Sequence, residues 1–336
     1  MGKSNMDFFA SANSGRGFIN LYREIFKGLN KHYIIKGGPG TGKSSLMKAA
    51  ANFAENKGMC VERFYCSSDP DSLDGIIINE LSVGITDGTA PHSADPVYPG
   101  VCDEIINLGE FWDGSVLSSS KEYIIQTTNK KSELYRKLYA CLAAALSMDE
   151  IIQYNLLKAT DMDNLFLLAR SYAQTIPFRK GHSKVRLTNA ISMKGPIKFL
   201  PFKNEAEVIY NIKDSYGIAH HFLNFIKEYM HGSDITLSYD AFDTEKINML
   251  YCQRDKLLFC VNGEGDEEID INEFVSSPTD ENERLRQQID SLMSEGYNTL
   301  SRIEKLHFSL EEIYISSMDF SQKEEYQNSL LRKIFT

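Results

Sequence analysis

The stretch Tyr33-Ile34-Ile35-Lys36-Gly37-Gly38-Pro39-Gly40-Thr41-Gly42-Lys43-Ser44-Ser45 constrains this chain more than any other part of its sequence. A β-rich apolar run enters it. A helical pattern leaves it, with Leu46, Ala49, Ala50 and Phe53 on one face. Residues 37–44 fit G-x-x-x-x-G-K-[ST], a loop whose backbone N–H groups converge on phosphate oxygens. Convergence needs glycine wherever a Cβ would clash or φ must be positive. The N-terminus of the helix that follows adds its partial positive charge at the same place. Gly37 to Ser45 are therefore expected to cradle a nucleotide's phosphates. Lys43 would reach the β- and γ-phosphates, and Ser44 would ligate Mg²⁺.

A second strand is expected at "MCVERFYC", followed by the polar loop "SSDPDSLDG" with Asp69, Asp71 and Asp74. Asp69 and Asp71 would stand at the strand's end, where acids can bind substrate or activate water. Leu81 to Thr86 reads as a short buried strand ending at Asp87, the place where a carboxylate completes a magnesium site with Ser44. Gly88 follows, so no acid stands next to Asp87 to serve as a base. His92, just beyond, is a candidate for sensing the γ-phosphate. No N/T-K-x-D motif for reading guanine occurs, which favours ATP.

Composition bounds the rest. A net charge of −10 argues against a general nucleic-acid binder, which needs a basic face. The six cysteines form no CxxC pair and read as reduced, buried thiols. No apolar run approaches the roughly 20 residues needed to span a bilayer, and the N-terminus lacks a signal-peptide core, so membrane insertion is not expected and a cytoplasmic location is.

From 118 to 176 the chain carries helical periodicity without glycine or proline until the end, and reads as a helical hairpin appended to an α/β core. Arg136 and Arg170 within it are candidate catalytic arginines. "RLTNAISMKGPIKFL" from Arg186 then echoes "FFASANSGRGFINLY" from Phe8, and Ile212, Lys213, Gly217 and Leu223 answer Ile35, Lys36, Gly40 and Leu46. "FSLEEIYISS" answers "LSMDEIIQYN". Echoes in the same order indicate duplication. The copy has Asp214 for Gly37, Ala219 for Gly42 and His220 for Lys43, which removes the phosphate chemistry. Two units are expected: 1–178 with its helices at 118–176, and 179–336 with C-terminal helices at 280–335.

On "GGPGTGKSSLMK", "SSDPDSLDGIIINEL", "TDGTAPH", "DEIINLGEFWD" and "AISMKG", the chain resembles a bacterial family of P-loop ATPases with two tandem P-loop-like halves. The resemblance implies an α/β, P-loop NTPase-like (Rossmann-like) parallel sheet, duplicated, with helical insertions, and it implies ATP binding. It names no substrate, protein partner or small-molecule partner. The function expected is a Mg²⁺-dependent ATPase with Lys43, Asp87, Asp69 and His92 at the catalytic site. A phosphotransferase using the acids of "SSDPDSLDG" and a nucleotide-gated binding module are the alternatives.

Overall fold

The computed structural model describes residues 6–90, 95–177, 180–276 and 280–336. In the first half the strands are β1 (Met6–Phe9), β2 (Ser11–Ser14), β3 (Gly17–Asn20), β4 (Lys31–Lys36), β5 (Val61–Tyr65), β6 (Leu73–Ile78), β7 (Val83–Asp87) and β8 (Asp103–Asn107). Helix α1 (Tyr22–Ile25) precedes β4, and α2 (Lys43–Asn56) follows it. Then come α3 (Gly114–Ser119), α4 (Lys121–Ala159) and α5 (Met162–Thr175). The second half contains β9 (Lys184–Val185), β10 (Asn189–Ser192), β11 (Gly195–Lys198), β12 (Val208–Lys213), α6 (Ala219–Tyr229), β13 (Ile235–Tyr239), β14 (Ile247–Cys252), β15 (Leu257–Val261), β16 (Glu267–Asp270), α7 (Asp280–Ser317) and α8 (Phe320–Phe335).

Two six-stranded sheets organise these elements. The first runs β1-β5-β6-β7-β4-β8 and the second β9-β13-β14-β15-β12-β16, the same order strand for strand. Tyr33, Ile34 and Ile35 of β4 are all buried, as the continuous apolar run of an interior strand requires. Each half also carries a small antiparallel hairpin, β2-β3 or β10-β11. The protein is thus α/β, but its sheets are mixed where a parallel sheet was expected. Strand β6 runs antiparallel to both β5 and β7. Only residues 79–82 join β6 to β7, enough for a hairpin and far short of the dozen or so that a parallel crossover needs. The polar loop accordingly ends at Ser72, and Asp74 lies buried inside β6.

The halves are related by an approximate two-fold axis. Phe9 and Leu187 occupy equivalent places and bond to one another, the Phe9 N–H donating to the Leu187 carbonyl at 2.8 Å. The long helices α4 and α7 lie antiparallel: Lys131 meets His307, Lys137 pairs with Glu295, and Asn155 bonds Asn282 at 3.0 Å. Gly296 faces Leu138 and Leu142 near the middle of the pair. The expected hairpin partner of α4 is therefore supplied by the other half.

The terminal helices are exchanged in the same way. Leu165, Ala169 and Ala173 of α5 pack on the second sheet's core with Ile212, Phe222 and Leu250. Leu330 and Leu331 of α8 pack on the first sheet's core with Ile35, Leu46 and Ile76. Isolated bridges fix both corners, Thr160 with Val275 and Met318 with Trp112. Between the sheets, Phe8, Phe26 and Phe64 meet Phe202, Met249 and Tyr251 in one cluster, and a buried ion pair joins Arg186 to Glu62 at 2.7 Å. No helix among the described residues is long and apolar enough to cross a membrane.

This exchange predicts that neither half folds alone. Residues 1–178 and 179–336 expressed as separate chains should each aggregate, whereas co-expressed they should co-elute as a one-to-one complex in size-exclusion chromatography.

Candidate functional site

The glycine loop leaves the C-terminal end of β4 and turns into α2. Gly40 and Gly42 hold φ of +69° and +84°, a region that side chains other than glycine's rarely adopt. Thr41 is buried and its hydroxyl donates to the Gly38 carbonyl at 2.9 Å, pinning the loop across its own neck. A Cβ on Gly37 would stand 2.7 Å from that hydroxyl. The Lys43 ammonium curls back over the loop, donating to the carbonyls of Gly38 at 2.6 Å and Gly37 at 3.1 Å.

Strand β7 lies beside β4 in parallel and ends at Asp87, opposite Ile35. This sets the Asp87 carboxylate 3.5 Å from Lys43 Nζ. The other carboxylate oxygen accepts the Thr89 N–H at 2.8 Å, and the Thr89 hydroxyl donates to the Gly37 carbonyl, so Asp87 is tied to the loop it faces. Ser44 Oγ accepts the Leu73 N–H at 2.9 Å, at the start of β6. Ser45 Oγ donates to the Gly42 carbonyl in the first turn of α2.

The other candidates are distributed less compactly. Asp69 is turned into its own loop, where it accepts from Ser72 Oγ at 2.6 Å and from the Asp71 N–H. Asp71 pairs with Lys194, from the β10-β11 hairpin of the second half. Asp74 lies near the buried Tyr22 hydroxyl, whose pKa is pushed well up by burial and by that carboxylate. Arg136 is exposed on α4, and Arg170 rides on α5 at the flank of the second sheet. His92 lies outside the described residues.

What the sequence reading missed comes from the far half. The C-terminal turns of α7 lie against the loop so closely that a Cβ on Gly38 would stand 2.5 Å from the Tyr314 ring. One on Gly40 would stand 2.9 Å from the Glu311 carbonyl oxygen. The Glu311 carboxylate also pairs with His307 one turn earlier on α7. His307, 3.4 Å away, holds that carboxyl below its usual range against the effect of burial, with help from Lys43. Lys323, buried in α8, donates to Ser45 Oγ at 3.2 Å. Burial lowers the pKa of Lys323, and likewise that of Lys131 beside His307. Glu311 and Tyr314 lie inside the "FSLEEIYISS" echo, but nothing in that echo places them at the first loop.

The second loop shows what the same backbone does without the lysine. Asp214, standing for Gly37, is buried and turns its carboxylate onto three loop amides, those of Tyr216 at 3.0 Å, Gly217 at 2.7 Å and Ala219 at 2.7 Å. Gly217 keeps the positive φ of Gly40. Gln153 of α4, in the place of Glu311, donates to the Tyr216 carbonyl at 3.4 Å. A cavity of about 390 Å³ opens beside this loop, lined by Arg16, Asp149, Gln153, His220 and Lys246 among others. Arg16 comes from the β2-β3 hairpin, as Lys194 comes from β10-β11 at the first site. It pairs with Asp243 at 3.1 Å. Comparison with protein-family models, curated proteins and solved structures gave no match to the chain.

His220 gives a pH prediction. Burial, with the charges of His221 and Lys246, pushes its pKa down to about 3 from 6.5. Between those values the unfolded chain binds the extra proton, so stability should fall as pH drops from 6.5 towards 3. A His220→Asn variant should lose less stability over that interval in urea unfolding, and the His220 ring protons in wild type should not titrate above about pH 4.

Proposed function

We propose that the glycine loop binds ATP with Mg²⁺ and that the protein is an ATPase of the P-loop class, built from a duplicated unit whose second copy no longer takes a nucleotide. The observation that carries this reading is the glycine loop between β4 and α2, with Gly40 and Gly42 at positive φ and the Lys43 ammonium folded over it, 3.5 Å from Asp87. Asp214 supports it from the other half, since its carboxylate sits on the amides of the equivalent loop and marks them as an anion cage. The resemblance to bacterial P-loop ATPases is in keeping with it.

The residues fit a magnesium ion. Ser44 Oγ accepts one N–H and retains a lone pair, and Asp87 presents a carboxylate oxygen on the same side of the loop as Lys43. Magnesium needs only one or two such protein oxygens beside phosphate and water. When bound it would neutralise phosphate charge. Lys43, released from the Gly37 and Gly38 carbonyls, would turn to the β- and γ-phosphates, and the loop amides would hold their non-bridging oxygens. The transferase alternative is the weaker one, because the Asp69 carboxylate is engaged in its own turn and that of Asp71 is paired with Lys194. The nucleotide-gated alternative keeps one observation in its favour: both walls of the site, the loop and α7, come from different halves.

Lys43→Ala should weaken ATP binding about ten- to a hundredfold by calorimetry, the worth of one charge-assisted hydrogen bond. Asp87→Asn should bind ATP but release phosphate about a hundredfold more slowly. If Lys43→Ala bound ATP as wild type does, the site would be misassigned.

A further inference from the structure

We infer that Lys323 is a second phosphate-binding ammonium of the glycine loop, delivered from the far half and directed at the α- and β-phosphates of the nucleotide. The inference rests on the ATP reading of that loop and adds a binding residue that the loop motif itself does not contain.

Position is the first support. Helices α2 and α8 run side by side in one direction: Lys323 meets Ser45 at their N-terminal ends, and the rings of Phe335 and Phe53 meet at the other, their centroids 4.6 Å apart. The Lys323 ammonium donates to Ser45 Oγ at 3.2 Å and stands 3.2 Å from the place of a Cβ on Gly42. Lys43 folds over the start of the loop, on the Gly37 and Gly38 carbonyls, whereas Lys323 covers its end. In such a loop the amides cradle the α- and β-phosphates, and the motif's own lysine reaches outward to β and γ. An ammonium where the loop enters α2 therefore faces the inner pair. Charge is the second support. Only 6% of Lys323 is exposed, and its partners, Ser45 Oγ and Gln327 Oε1 at 2.7 Å, are both neutral. Among the described residues no carboxylate forms an ion pair with it, while Asp87 answers Lys43. The first turn of α2 holds no acidic residue, and its N-terminus carries partial positive charge of its own. A buried ammonium without a counter-ion is costly, and a polyphosphate on the loop supplies the missing anion.

The second half supplies the third support. Asp161 and Asp319 cap equivalent helices, so Lys323 and Gln327 correspond to Leu165 and Ala169 of α5. The register that matches Gly40 to Gly217 sets Ser45 against Phe222. Leu165, Ala169 and Phe222 are fully buried in one apolar cluster. A leucine therefore serves at this place when the helix has only a sheet to cover, and packing does not call for an ammonium. The polar trio Ser45, Lys323 and Gln327 belongs to the loop that has Lys43, and the apolar trio to the loop that has His220 instead.

The test compares wild type, Lys323→Met and the double variant Lys323→Leu with Gln327→Ala, which copies Leu165 and Ala169. Urea unfolding is measured without nucleotide, and binding of ATP and of ADP with Mg²⁺ by calorimetry. Both variants should unfold at urea concentrations no lower than wild type, because an unpaired buried charge has gone. Both should bind ATP and ADP about ten- to a hundredfold more weakly, by the same factor for each, the worth of one charge-assisted hydrogen bond. The double variant decides the matter even if Lys323→Met fails to fold. If Lys323 only fastened α8 to α2, the variants would unfold at lower urea and bind both nucleotides as wild type does. That result, or a loss confined to ATP, would overturn the inference and leave the nucleotide site standing. Failure of wild type to bind either nucleotide would remove the ATP reading, and this inference with it.

Discussion

Everything else in this molecule depends on the exchange of helices between its halves. A six-stranded sheet with one helix of its own leaves apolar surface bare, and each sheet here is finished by a helix from the far half. Leu330 and Leu331 together cover the flank of the first sheet, and full burial of such side chains contributes about 1.5–3 kcal/mol each. Because α8 must reach that flank, α7 must end beside the glycine loop. The contacts of Glu311 and Tyr314 with Gly40 and Gly38 thus follow from the covering of the core as much as from any chemistry at the loop.

This gives the glycines two reasons to be glycine. Positive φ at Gly40 and Gly42 is the local one. The other is the approach of α7, which leaves no room for a side chain at Gly38 or Gly40. In the second loop the same backbone bend survives at Gly217, while Asp214 replaces a glycine and satisfies the amides by itself. In that second loop the backbone amides have gathered an anion from within the loop itself.

Much of this was legible in the sequence. The spacing around Gly37 to Ser44 located the loop, and the apolar run before Asp87 located a strand that ends there, although β7 starts at Val83 and not at Leu81. The repeated order of short segments anticipated two sheets of one topology. The β6-β7 hairpin was hidden because its turn, Asn79 to Ser82, holds no glycine or proline. Ser82 itself adopts φ of +53°. The echo of the long helices was placed one turn out: Asp161 and Asp319 cap equivalent helices, and this sets Glu311 against Gln153, whereas the segments as quoted set it against Asp149. A four-residue slip keeps the same helix face outward, so periodicity could not detect it. Periodicity also states that a face is apolar without saying which sheet will cover it. The exchange, and with it Glu311, Tyr314 and Lys323, could be seen only in three dimensions.

The shared core has a consequence for how such a chain can change over generations. The second half carries Asp214 and His220 where the first carries Gly37 and Lys43, yet it cannot be discarded, because its last helix is a wall of the first half's interior. Deletion of that helix would unroof its neighbour. The covering of the first sheet thus gives the second half a structural role that is independent of what its own loop binds.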